Sequence, residues 1–230
     1  MAPETAERGG ALARLVRAVD DKGTDLPAQL HPAWVDAVFP RPGLAIGGDA
    51  RRADLRVSQL LAAAYELRWP TFGELRHPAH RIALLGRQDT LRVLAVCALA
   101  SRRDSLRVSV GRETRETVIE CVGAAAYAQL VSGSPSRSAP IQALTPQMLD
   151  IDQLATSGYR LLCRHGAWHS RAALAITRLC LAPMTADSLA GPPADATGDA
   201  EGAEVVNHLQ DFFPELEWLF GSGMKRALSA

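Results

Sequence analysis

The chain has 230 residues, and its 25 lysines and arginines are matched by 25 aspartates and glutamates, so it carries no overall basic field of the kind that gathers nucleic acid. Hydrophobic residues make up 47% but aromatics only 5%; the apolar content is mainly alanine, leucine and valine, and the first two are strong helix formers, which predicts an all-α fold. No stretch reaches the ~18 consecutive apolar residues that span a bilayer, and the first ten residues hold two glutamates and no apolar run, so neither membrane insertion nor a secretory signal is expected.

Ala11, Leu12, Leu15, Val16 and Val19 recur at helical spacing and predict a helix over about residues 5–20, with Arg14 and Arg17 on its opposite face. Leu30-His31-Pro32-Ala33-Trp34 follows, where Pro32 suits a first helical turn; a short helix should present Trp34 and Val38 before Pro40 and Pro42 end it. A helix over about 54–68 puts Leu60, Leu61, Ala64 and Leu67 inward and stops at Pro70. Asp89 is placed to cap a helix over Thr90–Ala100, whose Leu91, Leu94, Ala95, Ala98 and Leu99 cover a face broad enough for a central position. Leu106, Val108 and Val110 alternate with polar residues, a pattern shared by a short strand and a turn of helix.

One continuous helix is predicted from Arg112 to Leu130, followed by a linker over 132–140 rich in serine and proline. Thr145-Pro146 has the form of a cap and first turn for a helix running to about Arg164; Gly166 breaks it, and another spans about 167–181. Residues 184–203 contain four acids, no base and no aromatic, the composition of a flexible acidic linker. Beyond it, Val205, Val206, Leu209, Phe212 and Phe213 lead through Pro214 to Leu216, Trp218, Leu219 and Phe220, two amphipathic turns about a proline. The expected organisation is a helical domain over 1–183, a linker over 184–203 and a tethered C-terminal helical segment over 204–230. The four cysteines lie in apolar helical stretches without CxxC spacing, so buried free thiols are expected.

Candidate chemistry is sparse. His165 and His169 stand four apart next to Cys163, but Gly166 separates them and no second ligand cluster exists, so no metal is expected. His77 and His80 occupy a proline-interrupted loop; a ligand-binding or enzymatic role would need the fold to gather them with His165 or His169 in one pocket. No GxGxxG, GxxxxGK[ST] or GxSxG pattern is present, so neither a cofactor nor a catalytic residue is assigned. Arg102 and Arg103, with Arg112 close by, form a local basic cluster fit for a solvated helix end or an acidic protein partner. The aromatic tail either completes the core or docks into another protein, with Phe213, Leu216, Trp218 and Phe220 as anchors.

The Leu30 to Trp34 entry, the Leu85-Gly86-Arg87 junction and the arginine- and leucine-rich stretch through Ile119 and Gly123 to Tyr127 together resemble the SctK/YscK group of type III secretion accessory proteins, in its Hrp-type version. The resemblance covers about residues 30–130. It implies a non-catalytic helical adaptor of the injectisome sorting platform, in the bacterial cytoplasm peripheral to the inner membrane. Its implied partners are the inner-membrane ring protein SctD and the pod protein SctQ, and of the matching positions Leu30, His31, Pro32 and Trp34 are associated with contact.

Overall fold

The computed structural model describes residues 2–40, 50–109, 111–133, 144–145, 148–183, 200 and 202–229. Its regular elements are all helical, with no strand among the described residues. The first four helices are α1 (Ala2–Thr24), α2 (Leu26–Gln29), α3 (Pro32–Val38) and α4 (Ala50–Ala64). Next come α5 (Pro78–Arg81), α6 (Arg87–Ala100), α7 (Arg103–Val108), α8 (Arg112–Val122) and α9 (Ala124–Ser132). The last five are α10 (Ile151–Arg164), α11 (Arg171–Leu179), α12 (Leu209–Phe212), α13 (Glu217–Phe220) and α14 (Ser222–Ser229). None of these is long and apolar enough to cross a membrane.

Helix α6 is the axis of the fold. From Thr90 to Ala100 every residue except Arg92 is buried, the state of a helix that is apolar all round. Gly86, not Asp89, holds its N-cap position, and Asp89 sits in the first turn paired with Arg92 at 3.1 Å. Helix α10 lies along α6 at backbone contact: a Cβ added at Gly158 would stand 1.9 Å from the Leu94 carbonyl oxygen. Gly202 repeats the arrangement one turn further along, where a Cβ would stand 2.6 Å from the carbonyl oxygen of Cys97.

Several boundaries depart from the sequence-based expectation, each for a local reason. Of the two readings open for the stretch around Leu106 and Val108, the helix holds, with Ser105 and Leu106 buried and Val108 47% exposed, while Val110 lies outside the described residues. The helix expected over 112–130 is two, divided at Gly123, whose φ of 92° no L side chain adopts comfortably. Helix α10 starts at Ile151 rather than after Thr145, because the Asp150 carboxylate accepts from the Gln153 amide at 2.9 Å and so supplies the cap. Ser170 caps α11 in the same way through the Ala173 amide at 3.2 Å. Of the four free cysteines, Cys97 and Cys180 are buried and Cys121 half-buried, but Cys163, in the last turn of α10, is exposed. The 132–140 linker falls almost wholly, and the 184–203 linker largely, outside the described residues.

The C-terminal segment enters the main core, where Leu209, Phe212, Phe213, Leu219 and Phe220 join Leu15, Val96 and Leu130. Two arginines fix it. Arg81, 1% exposed, donates through Nε to the Leu75 carbonyl at 2.7 Å and through Nη2 to that of Arg76 at 3.0 Å, and through Nη1 it reaches the tail at Leu219 O, 3.0 Å. Burial pulls its guanidinium down to about 10. Arg92 pairs with Glu215 at 2.9 Å and stands 5.1 Å from the Phe213 ring centroid.

A smaller core joins α2 and α4 to the end of α11 through Leu26, Leu30, Leu61 and Leu179. Buried Lys22 connects the two regions, its ammonium donating to the Leu85 carbonyl beside the Cys180 sulfur at 3.8 Å. Ser58 accepts from the Leu26 amide at 3.2 Å and donates to Thr24 O at 2.9 Å, closing α4 on the α1–α2 junction.

Two expectations follow. Gly158→Ala gains ~0.5–1 kcal/mol of helix propensity but overpacks backbone against backbone, which costs ~1–3 kcal/mol or more. A Tm at least about 5 °C below wild type is expected by calorimetry, and an unchanged or higher Tm refutes the close packing. Removing residues 204–230 strips out large side chains, each stabilising by ~1.5–3 kcal/mol when fully buried, against a total stability of ~5–15 kcal/mol. The shortened chain is expected to lose its cooperative thermal transition; a sharp transition near the full-length Tm would show that the tail is dispensable.

Candidate functional site

The sequence His-Pro-Ala occurs twice, and the fold uses both copies alike. In each, the histidine stands at the N-cap in extended backbone and the proline opens the helix. The imidazole Nδ1 then accepts the free amide two residues on, His31 from Ala33 at 3.2 Å and His77 from Ala79 at 3.3 Å. A ring nitrogen here does the work that a serine or aspartate oxygen does at most caps.

Around the second copy three imidazoles meet. The ring centroids of His77 and His80 are 5.0 Å apart, those of His77 and His169 5.6 Å, and those of His80 and His169 6.2 Å. They line an open recess of about 650 Å³ with Thr71, Glu74 and Arg76. Of the histidines weighed from sequence, His165 stays outside it, exposed at the end of α10, because Gly166 with φ 63° turns the chain between His165 and His169.

His80 has no free nitrogen. Nδ1 lies 2.6 Å from the Glu74 carbonyl oxygen, so it carries the proton and donates. Nε2 accepts from two amides, those of His169 at 3.0 Å and Ser170 at 3.2 Å. One neutral imidazole thus ties the turn before α5 to the start of α11, with the Trp168 ring stacked 6.5 Å away. Burial pushes both His77 and His80 below the ordinary histidine range, and the neighbouring His169 acts in the same direction. The Glu74 carboxylate is occupied, accepting from the Thr71 amide at 2.7 Å and hydroxyl at 2.9 Å, which holds it below the usual carboxylate range. Among the described residues no group of three or more histidine, cysteine or acidic side chains is arranged to hold a metal ion.

The contact residues named from sequence do not converge. Leu30 is buried in the smaller core, and the His31 amide donates to the Leu179 carbonyl at 2.8 Å. Trp34 is half-buried, its indole N–H donating to Leu181 O at 2.8 Å and its ring edge-on to Tyr65. Pro32 and Arg102 are exposed. Arg103 is half-buried with its guanidinium over Gly133. Arg112 is exposed and paired with Glu116 at 2.7 Å. Phe213, Leu216 and Phe220 are buried and Trp218 half-buried, so as placed here these side chains are packed against the chain's own core. Sequence reasoning missed Lys22 and Arg81, both buried and without a carboxylate partner among the described residues. The signal was present for Lys22, one of only two lysines in the chain.

The profile of the family described as bacterial type III secretion protein (HrpB4) matches residues 12–215, and the chain belongs to that family. The match is consistent with the Hrp-type branch of the SctK-like proteins that the sequence resembles. No curated protein and no solved structure matches.

The histidine recess makes a pH expectation. His77 and His80 titrate lower when folded than the ordinary value of ~6.5, so as pH falls the unfolded chain binds protons first. Their contribution to stability is complete above about pH 7 and is lost as pH drops through about 6.5 and on past the folded values. Thermal melts should show Tm flat from about pH 7 to 8 and falling toward pH 5. In His80→Ala the Tm should be lower throughout and the slope shallower. An equal slope in the variant would remove His80 from this role.

Proposed function

We propose that this member of the HrpB4 family is a non-catalytic adaptor of the type III secretion sorting platform, joining an SctD-type inner-membrane ring protein to an SctQ-type pod protein on the cytoplasmic side of the inner membrane. The observation that carries the reading is the family match over residues 12–215. The side-chain chemistry supports it. Both nitrogens of His80 are engaged in holding the chain together, and Nδ1 of His77 caps a helix, so the most reactive-looking cluster acts as structure. Of the contact set read from sequence, Pro32, Arg102 and Arg112 stand at the surface, and within this reading they are available to partners.

A second reading rests on the recess where His77, His80 and His169 meet: a helical enzyme or a domain that binds a small ligand there. A thermal-shift screen of small molecules separates the two, since a ligand whose stabilising effect His169→Ala abolishes would favour the ligand-binding domain.

Co-purification of the full chain with the co-encoded SctQ-type protein and with the cytoplasmic domain of the SctD-type protein is the direct test. Retention of both at micromolar concentration is expected, with a ternary complex on size exclusion. Binding to neither would overturn the adaptor role.

A further inference from the structure

One surface of the molecule keeps large apolar side chains in solvent. Val16 of α1 is 52% exposed and Phe72, in the loop before the turn at Glu74–Arg76, is 51% exposed. With Leu12, Leu228 and Arg76 they line a groove of about 400 Å³ between α1, α14 and the loop. Leu12 and Val16 are four apart and so share one face of α1. Single exposed apolar residues need no explanation, but a concave row of them does.

The histidine recess adjoins this groove. Gly73 and Arg76 line both, so the loop carrying them is a low wall with apolar walls on one side and imidazoles on the other. The charges around it are unequal. Arg76 is exposed at the shared edge and lines both hollows. Glu74, the one carboxylate of the wall, is turned onto Thr71. On α1, Arg17 follows Val16, and Asp20 lies a turn further on.

We propose that the groove and the recess form one docking surface for an amphipathic helix of a partner protein, its apolar stripe seated on Leu12, Val16 and Phe72 and its flanking carboxylates directed at Arg76 and the imidazoles of His77 and His169. The occupant is defined by charge: an apolar groove would take any amphipathic helix, but an exposed guanidinium at its edge, with the one nearby carboxylate turned onto Thr71, selects one whose flank is acidic, the imidazoles beyond it adding hydrogen bonds only. The surface deepens the adaptor reading by naming where one partner sits.

The test uses two synthetic helical peptides with the same leucine stripe, one flanked by glutamates and the other by lysines, titrated against the full chain by fluorescence anisotropy. The acidic peptide is expected to bind at least tenfold more tightly, with affinity falling as salt rises. Phe72→Ser and Arg76→Glu should each weaken it at least tenfold while circular dichroism shows the helices intact. Both side chains are exposed, and the Arg76 carbonyl that Arg81 uses is untouched. Equal binding of the two peptides, no binding of either, or full binding by the variants overturns the proposal. Self-association of the wild type that Phe72→Ser abolishes would assign the groove to a second copy and overturn it equally. Because co-purification with the SctQ- and SctD-type proteins is measured separately, partner binding that survives both substitutions removes this surface and leaves the adaptor reading standing.

Discussion

The closest constraint among the described residues is the contact of Gly158 with the backbone of α6 at Leu94. Where a Cβ has no room, two helix axes approach as near as peptide groups allow, and dispersion contacts along both helices multiply. Gly202 meets the same helix at Cys97, three residues on. A helix gripped in this way cannot rotate or slide without collision, so α6 sets the register for what packs around it. Val118 and Val122 of α8, Leu154 and Leu161 of α10, and the tail at Phe213 all belong to the core built on it. The short helices of this fold are far below the length at which helices persist alone in water, and they exist because that axis is fixed.

The second layer of organisation uses buried cations without carboxylates. Arg81 reaches three carbonyls on two elements with one planar group, a geometry that an ammonium cannot copy. Lys22 does the converse, presenting a compact charge to Leu85 O in a space next to Cys180. Its pKa is lowered by burial, the direction in which a lysine sheds its proton most readily. Both connect backbone rather than side chains, so each joins the ends of elements distant in sequence: α1 to the start of α6, and the loop before α5 to the tail. His80 serves the same end with a neutral ring between the Glu74 carbonyl and the amides that open α11.

These devices mark the limit of what the sequence makes legible. The all-α class followed from composition, and the central place of α6 followed from the broad apolar face of Leu91, Leu94, Ala95, Ala98 and Leu99. The proline that opens α3 and the glycine that ends α10 were also visible, because each acts on its own backbone. The cap at Asp150 was passed over in favour of Thr145-Pro146, a choice between local signals of similar strength, and α11 was begun near Ala167, ahead of its cap at Ser170. The break at Gly123 was hidden by apolar spacing that runs through it, and periodicity does not report φ. The role of Gly158 could not be read at all, since a glycine inside a helix gives no sign of whether it faces solvent or another backbone. The histidine recess was legible as a list of residues but not as a place: His165 and His169 are close in sequence and parted by Gly166, whereas His77 and His169 are far apart and adjacent.

The same distinction bears on the adaptor role proposed above. Sequence patterns pick out strong apolar or aromatic segments as contact candidates, yet in a chain with 5% aromatics those segments are what the core needs most. Leu30, Phe213, Leu216 and Phe220 are accordingly packed inward, with the Trp34 indole hydrogen-bonded to the Leu181 carbonyl. What remains outside is scattered in sequence: Val16 at the edge of the α1 apolar stripe, Phe72 in a short loop, and Arg76 beside it. A surface assembled from α1, that loop and α14 exists only in the folded chain, so its integrity depends on Arg81 holding the loop's Leu75 and Arg76 carbonyls and the tail's Leu219 carbonyl in one frame. The proposed docking and the stability of the core are then linked through a single guanidinium, and substitutions inside the core would reach the surface through it.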